Sequence, residues 1–171
     1  MRLFIAICFK ENIVEKLEDI QADLLACGVT GKCTPPENLH LTLAFVGEYG
    51  NPDDILEVME SVPFRKMELQ LVGLQHFRDM YFARFEENVG LQSYVRRLRR
   101  ALADNGITFD KKKFKPHITL MRKVSLANAD FDSLPQELNT GIIRASGVSL
   151  MLSERGKKGM IYTELGVIED R

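Results

Sequence analysis

Two short stretches decide how this chain is read. They are Asn38-Leu39-His40-Leu41-Thr42-Leu43 and, with its histidine 77 positions beyond the first, Pro116-His117-Ile118-Thr119-Leu120. In extended backbone, successive side chains point to opposite faces. His40 and Thr42 therefore share one face, and Leu39, Leu41 and Leu43 share the other. His117 and Thr119 are set in the same way against Ile118 and Leu120. Each strand offers the core an apolar face and offers a cleft an imidazole beside a hydroxyl. The chain has three histidines in all, so two of them in one setting calls for an explanation.

The flanking segments repeat as well. Residues 2–9 read as a buried strand, and 80–86 as another whose start lies 78 positions later, counted from Leu3 to Tyr81. Residues 11–26 carry Ile13, Leu17, Ile20, Leu24 and Leu25 at helical spacing, with Gly28 as the stop. Residues 89–104 do the same with Leu91, Val95, Leu98 and Leu102, and Gly106 follows. An extended piece near 32–36 leads into the strand 39–46, with Gly47 at its exit. A short helix over 53–61 is capped by Asp53 or Asp54. Strands are predicted at 66–76 and 117–122, and a loop or short helix near 127–138. A closing hairpin pairs 142–153 with 159–168 around Arg155-Gly156-Lys157-Lys158-Gly159. Strand, helix and histidine strand thus recur in one order at nearly one offset. The expectation is an α+β protein: two β-rich lobes related by pseudo-twofold duplication, antiparallel sheets flanked by helices, and a central cleft. Residues 1–171 are read as a single two-lobed domain.

Composition narrows the function classes. Net charge is −1, so nothing global demands nucleic acid, though a local basic patch can still bind it. No apolar run approaches the ~20 residues of a membrane span. The opening Met1-Arg2-Leu3-Phe4-Ile5-Ala6-Ile7-Cys8-Phe9 is too short and too β-like for a signal peptide. Cys8, Cys27 and Cys33 form no C-x-x-C pair and read as reduced thiols of a cytoplasmic protein. Nothing in the sequence asks for more than a monomer.

An imidazole beside a hydroxyl suits phosphate chemistry. Neutral imidazole takes a proton from water, and imidazolium gives one to a departing alkoxide. The hydroxyl donates a hydrogen bond to a phosphoryl oxygen. Two such units facing each other supply an acid, a base and two phosphate holders. Each acid–base group is worth on the order of 10²–10⁴ in rate. No cofactor and no metal is called for: a zinc site wants a third ligand, which neither histidine strand supplies. His76, in Leu74-Gln75-His76-Phe77, has no such partner and reads as structural or surface.

At these residues the sequence resembles the 2H phosphoesterase superfamily, and more narrowly the RNA 2′,3′-cyclic phosphodiesterase family, historically called 2′-5′ RNA ligases. The resemblance covers nearly the whole chain. It runs through Arg2-Leu3-Phe4-Ile5-Ala6-Ile7, Pro36 to Glu48, Phe114 to Arg122, and the closing hairpin with Leu150 to Arg155 and Tyr162 to Leu165. It implies that His40 is the proton donor to the leaving 3′ oxygen and His117 the proton acceptor from water. Thr42 and Thr119 would hold the nonbridging oxygens, with Arg122 matching the arginine after the second motif. Strict alternation puts Arg122 on the face opposite His117, so it reaches the cleft only if the strand ends or bulges after Leu120. Cys33 stands where family members often carry a tryptophan, and this chain has none. Phe9, Phe45 and Tyr162 are the alternative aromatic surfaces.

The expected partner is RNA with a 2′,3′-cyclic phosphate end, tRNA fragments and small cyclic nucleotides included. Lys111, Lys112, Lys113 and Lys115 abut His117 and are the favoured backbone-tracking cations, ahead of the arginines at 96, 97, 99 and 100. Arg155, Lys157 and Lys158 form a second candidate rim. The competing functions are a non-catalytic RNA-end-binding module of the same fold and a metal-dependent phosphoesterase.

Overall fold

The structure is a computed structural model that describes residues 1–134, 138 and 141–170. β1 (Arg2–Cys8) is followed by α1 (Glu11–Ala26), β2 (Thr30–Cys33), a 3₁₀ turn at Pro36–Asn38 and β3 (His40–Glu48). Next come α2 (Pro52–Ser61), β4 (Met67–Phe77), β5 (Met80–Phe85) and α3 (Val89–Asp104). The chain closes with β6 (His117–Ser125), a 3₁₀ turn at Phe131–Ser133, β7 (Ile142–Ala145), β8 (Gly147–Gly156) and β9 (Gly159–Glu169). Two antiparallel sheets result, one ordered β3-β1-β8-β9 and the other β2-β6-β5-β4-β7. This is the α+β architecture expected. Among the described residues no helix is long and apolar enough to cross a membrane.

The sheets exchange strands. After β3 the chain leaves its sheet through α2, and β4 pairs with β5 in the other. After β6 and β7 it returns, and β8 pairs with β1. The inner neighbours β3-β1-β8 therefore match β6-β5-β4. One contiguous core runs between the sheets and helices, from Leu3, Ile5 and Ile7 through Leu17 and Leu24 to Leu98, Leu102, Ile118 and Leu120.

Both long helices begin and end where predicted. Their apolar stripes bury Ile13, Leu17, Ile20 and Leu24 in α1 and Leu91, Tyr94, Val95, Leu98 and Leu102 in α3. Each runs into a glycine in the left-handed region, Gly28 at φ +90 and Gly106 at φ +73. At Gly28 a Cβ would also lie 2.2 Å from the Asn128 carbonyl oxygen.

Three local expectations are corrected. The cap of α2 is Asn51, whose side chain accepts from the Asp53 N–H at 3.1 Å; Pro52 opens the helix and places Asp53 and Asp54 in its first turn. β3 does not stop at Gly47, which adopts φ +80 and continues to Glu48. The predicted strand 142–153 is two strands: β7 pairs with β4, while β8 crosses to β1 and β9. Ile143 and Ala145 bury into one sheet and Val148 and Leu150 into the other, so an unbroken β-like run serves both. Of the loop predicted near 127–138, residues 135–137 lie outside the described residues.

The duplication shows in the bulges. Along β1, Ala6 pairs with Thr42 and Ile5 with Ala44, which skips Leu43. Along β5, Phe82 pairs with Thr119 and Tyr81 with Met121, which skips Leu120. At each bulge the skipped residue drops out of the pairing with β1 or β5, though the Leu120 carbonyl still accepts from the Thr34 N–H at 2.9 Å. The Leu43 carbonyl accepts from Arg99 Nε and Nη2 at 3.2 and 3.0 Å, and the Leu120 carbonyl accepts from Gln21 Nε2 at 2.9 Å. Gln21 also donates to the Thr34 carbonyl, as Arg99 does to that of Lys112. Gln21 and Arg99 are 78 positions apart, and so are Thr34 and Lys112.

Candidate active site

The two histidine strands open onto one cleft of about 1550 Å³. His40, Thr42, His117 and Thr119 all line it, as do Arg122, Phe45 and Tyr162. The bulges explain two of these. In β3, Leu43 and Ala44 are both buried and Phe45 returns to the cleft face. In β6, Leu120 and Met121 are both buried and Arg122 returns in the same way. Phe45 and Arg122 are each five residues past their histidine, so the extra residue resolves the alternation problem at both. One Arg122 N–H also points at the Met80 sulfur, 3.7 Å away.

Each imidazole is held by the carbonyl two residues before it. His40 Nδ1 lies 2.7 Å from the Asn38 oxygen, and His117 Nδ1 lies 2.6 Å from the Lys115 oxygen. A carbonyl can only accept, so both Nδ1 atoms carry a proton and each Nε2 is the atom left for chemistry. His40 Nε2 lies 2.9 Å from Thr42 Oγ1. Among the described residues His117 Nε2 has no hydrogen-bond partner.

The two surroundings differ. The His40 ring is part-buried against Phe4 and Tyr162, with ring centres 4.9 and 5.3 Å away. Burial pushes its pKa below the ordinary imidazole value, the charges of Arg122 and His117 push the same way, and the Asn38 carbonyl opposes them. His117 is exposed, with Phe82 edge-on at 4.7 Å. Asn38 is itself buried, and its amide donates to the Met160 carbonyl at 2.9 Å, tying the β8–β9 hairpin to the His40 strand.

An aromatic wall stands beside His40. Phe4, Ala6 and Met151 form a small second cluster against which Phe45 and Tyr162 pack. The Arg2 guanidinium lies 5.1 Å over the Phe45 ring. Cys33 lines the cleft, and burial raises its thiol pKa, so it is a neutral thiol. The cleft walls carry six Lys and Arg side chains against three Glu, so the field inside favours anions.

Two candidate residues lie elsewhere. Phe9 stacks on Phe85 with ring centres 6.3 Å apart and packs on the core, outside the cleft. Lys115 is exposed and not part of the cleft wall; what it offers the site is its carbonyl, on His117. Nor do Lys111, Lys112 and Lys113 line the cleft. Of the hairpin rim, Arg155 and Lys158 do, and Lys157 does not. His76 is exposed, with Tyr81 at 5.7 Å. The sequence reading missed Phe4, Asn38, Arg2, Lys32 and Lys123. Asn38 had a signal, since it sits two before His40 as Lys115 sits two before His117. Phe4 had none, because every side chain from Leu3 to Ile7 is apolar and alternation cannot choose a face.

Among the described residues no three His, Cys, Asp or Glu side chains converge as metal ligands. Two imidazoles and two hydroxyls in a basic cleft can move protons on and off a bound phosphate ester. A family model described as LigT-like phosphoesterase matches residues 8–81 and 85–162. The chain belongs to that family of phosphoesterases, within the 2H superfamily. It is 30% identical over 180 residues to an RNA 2′,3′-cyclic phosphodiesterase of Archaeoglobus fulgidus, across 99% of this chain and 100% of that one. A Thermus thermophilus protein of known crystal structure superposes with TM-score 0.80 at 28% identity, covering 99% and 97% of the two chains. E. coli LigT crystallised with 3′-AMP shares the fold, with TM-score 0.83 at 24% identity, covering 99% and 97%.

Proposed function

We propose that this chain hydrolyses RNA 2′,3′-cyclic phosphate ends to 2′-phosphates, without a metal, through His40 and His117. The observation that carries the proposal is the pair of His-x-Thr strands on one basic cleft, each imidazole pinned at Nδ1 so that Nε2 is the nitrogen that faces proton transfer. The name of the Archaeoglobus fulgidus relative supports the substrate. The cyclic phosphate seats between the strands, with Thr42 and Thr119 donating to its nonbridging oxygens. Thr42 must then exchange its hydrogen bond with His40 for one to phosphate. His117 takes a proton from water as that water's oxygen bonds to phosphorus. The P–O3′ bond breaks, and His40 gives its proton to the departing 3′ oxygen. The negative phosphate beside His40 acts against the burial that chiefly suppresses its protonated form and against the smaller effect of the Arg122 and His117 charges. Arg122 steadies charge on the phosphoryl oxygens. Phe45 and Tyr162 offer aromatic surface to the terminal base.

With a 5′-hydroxyl in place of water, the same geometry joins it to the cyclic phosphate through a 2′-5′ bond as a weak activity, His117 taking the hydroxyl proton as the P–O3′ bond breaks and His40 protonating the departing 3′ oxygen. The working unit is a single two-lobed domain, acting as a cytoplasmic monomer. The test is turnover of a short RNA with a 2′,3′-cyclic phosphate end in excess EDTA, beside His40→Ala and His117→Ala. The expected outcome is a 2′-phosphate from the wild type, with kcat lower by about 10²–10⁴ in each variant. Turnover abolished by EDTA, or indifferent to the histidines, overturns the mechanism. RNA-end binding without any turnover favours the binding module.

A further inference from the structure

A second recess, of about 410 Å³, lies between α3 and the segment leading to β6. It shares no lining residue with the catalytic cleft. Four of its nine lining residues are Arg96, Arg99, Arg100 and Lys111, and none is acidic. Among the described residues Arg96, Arg100 and Lys111 make no ion pair. The nearby Asp110 carboxylate faces Lys112 at 3.9 Å, and among the recess cations its charge also acts on Arg99. Arg99 is fixed by its bonds to the Leu43 and Lys112 carbonyls, and its guanidinium lies over Phe109 and Phe114 at 5.8 and 5.7 Å. One charge is therefore preorganised and three more surround an open space.

The fold does not require this charge. The positions 78 earlier hold Glu18, Gln21, Ala22 and Cys33, and Gln21 meets the equivalent backbone demand with no charge at all. The basic recess is a property of the second half alone. The segment that walls it also touches both histidine strands: the Asp110 N–H donates to the Phe45 carbonyl at 2.8 Å, and Lys115 O holds His117.

We infer that the recess between α3 and residues 109–114 is a second binding site, specific for phosphate groups. Guanidinium forks suit phosphate oxygens, and a space of about 410 Å³ exceeds what one carboxylate fills. The phosphates come either from an RNA backbone or from a free polyphosphate compound. The test follows the amide resonances of the uniformly labelled protein during titration with pyrophosphate, and separately with a short RNA ending in a 3′-hydroxyl. Resonances of residues 96–100 and 109–114 are expected to saturate on their own curve, apart from those of Thr42 and Thr119. In Arg96→Glu/Arg100→Glu the recess curve weakens by about tenfold or more while the cleft curve stays unchanged. Lys111→Glu, on the loop rather than the helix, is expected to act the same way and covers failure of the double variant to fold. Tighter saturation by RNA identifies the backbone as the source, and tighter saturation by pyrophosphate identifies a free compound. Recess resonances that do not move with either probe, or that move equally in the variants, overturn the site. None of these readouts depends on turnover.

Discussion

His40 and His117 hold equivalent positions in the two halves, yet one ring is packed between Phe4 and Tyr162 and the other is exposed. That difference has a thermodynamic consequence. Because the folded pKa of His40 lies below its ordinary 6.5, the folded chain binds fewer protons there than the unfolded chain. Its contribution to stability is therefore complete above 6.5 and is lost as pH falls from that value to the lowered one. Thermal unfolding recorded between about pH 7.5 and pH 5 should show a smaller acid-side drop in Tm for His40→Asn than for the wild type. An equal drop in both proteins contradicts the burial argument. At this scale the sequence was most informative where a motif repeated, at His40, Thr42, His117 and Thr119. It was silent where an apolar strand hid which side chains face the cleft, as at Phe4.

At the scale of elements, the bulges and the helices behind them form one device in duplicate. Each bulge returns a side chain to the cleft, Phe45 in one half and Arg122 in the other. Each bulge carbonyl accepts from a helical side chain, Arg99 at Leu43 and Gln21 at Leu120, the latter sharing its acceptor with the Thr34 N–H. Gln21→Leu keeps the volume of this buried position and removes both donated bonds, leaving the Thr34 carbonyl without its Gln21 donor. Destabilisation of about 1–3 kcal/mol is expected by urea denaturation. A change within about 0.5 kcal/mol shows that the bulge does not depend on the helix. α1 and α3 were legible to the residue because an amphipathic stripe ends at a glycine in each. The division of 142–153 was not legible, since β7 and β8 are both β-like and apolar and only tertiary packing assigns each to its sheet. Arg122 was legible as a candidate, but its arrival in the cleft depended on a bulge that alternation does not reveal.

At the scale of the whole molecule, strand exchange places the two motifs across one cleft, and the cleft concentrates cations that a net charge of −1 conceals. Binding of oligonucleotide should therefore depend strongly on salt. The logarithm of the association constant is expected to fall with log salt by about 0.7 for each phosphate neutralised. Arg155→Ala and Lys158→Ala, at the hairpin rim, should each flatten that slope by up to this amount while leaving kcat on a cyclic mononucleotide unchanged. A slope that stays the same in both variants places the RNA backbone elsewhere. The proposed mechanism gives the two halves different work, and that division is its central claim.

The measurement that tests it most directly replaces the 3′ bridging oxygen of the cyclic phosphate with sulfur, whose thiolate departs without needing a proton. Cleavage of the oxygen and sulfur substrates would be compared in the wild type, His40→Ala and His117→Ala. The account expects the sulfur substrate to restore His40→Ala toward the wild-type rate and to leave His117→Ala defective. Restoration of His117→Ala instead, or equal defects with both substrates, would contradict the assignment of His40 as the acid and His117 as the base.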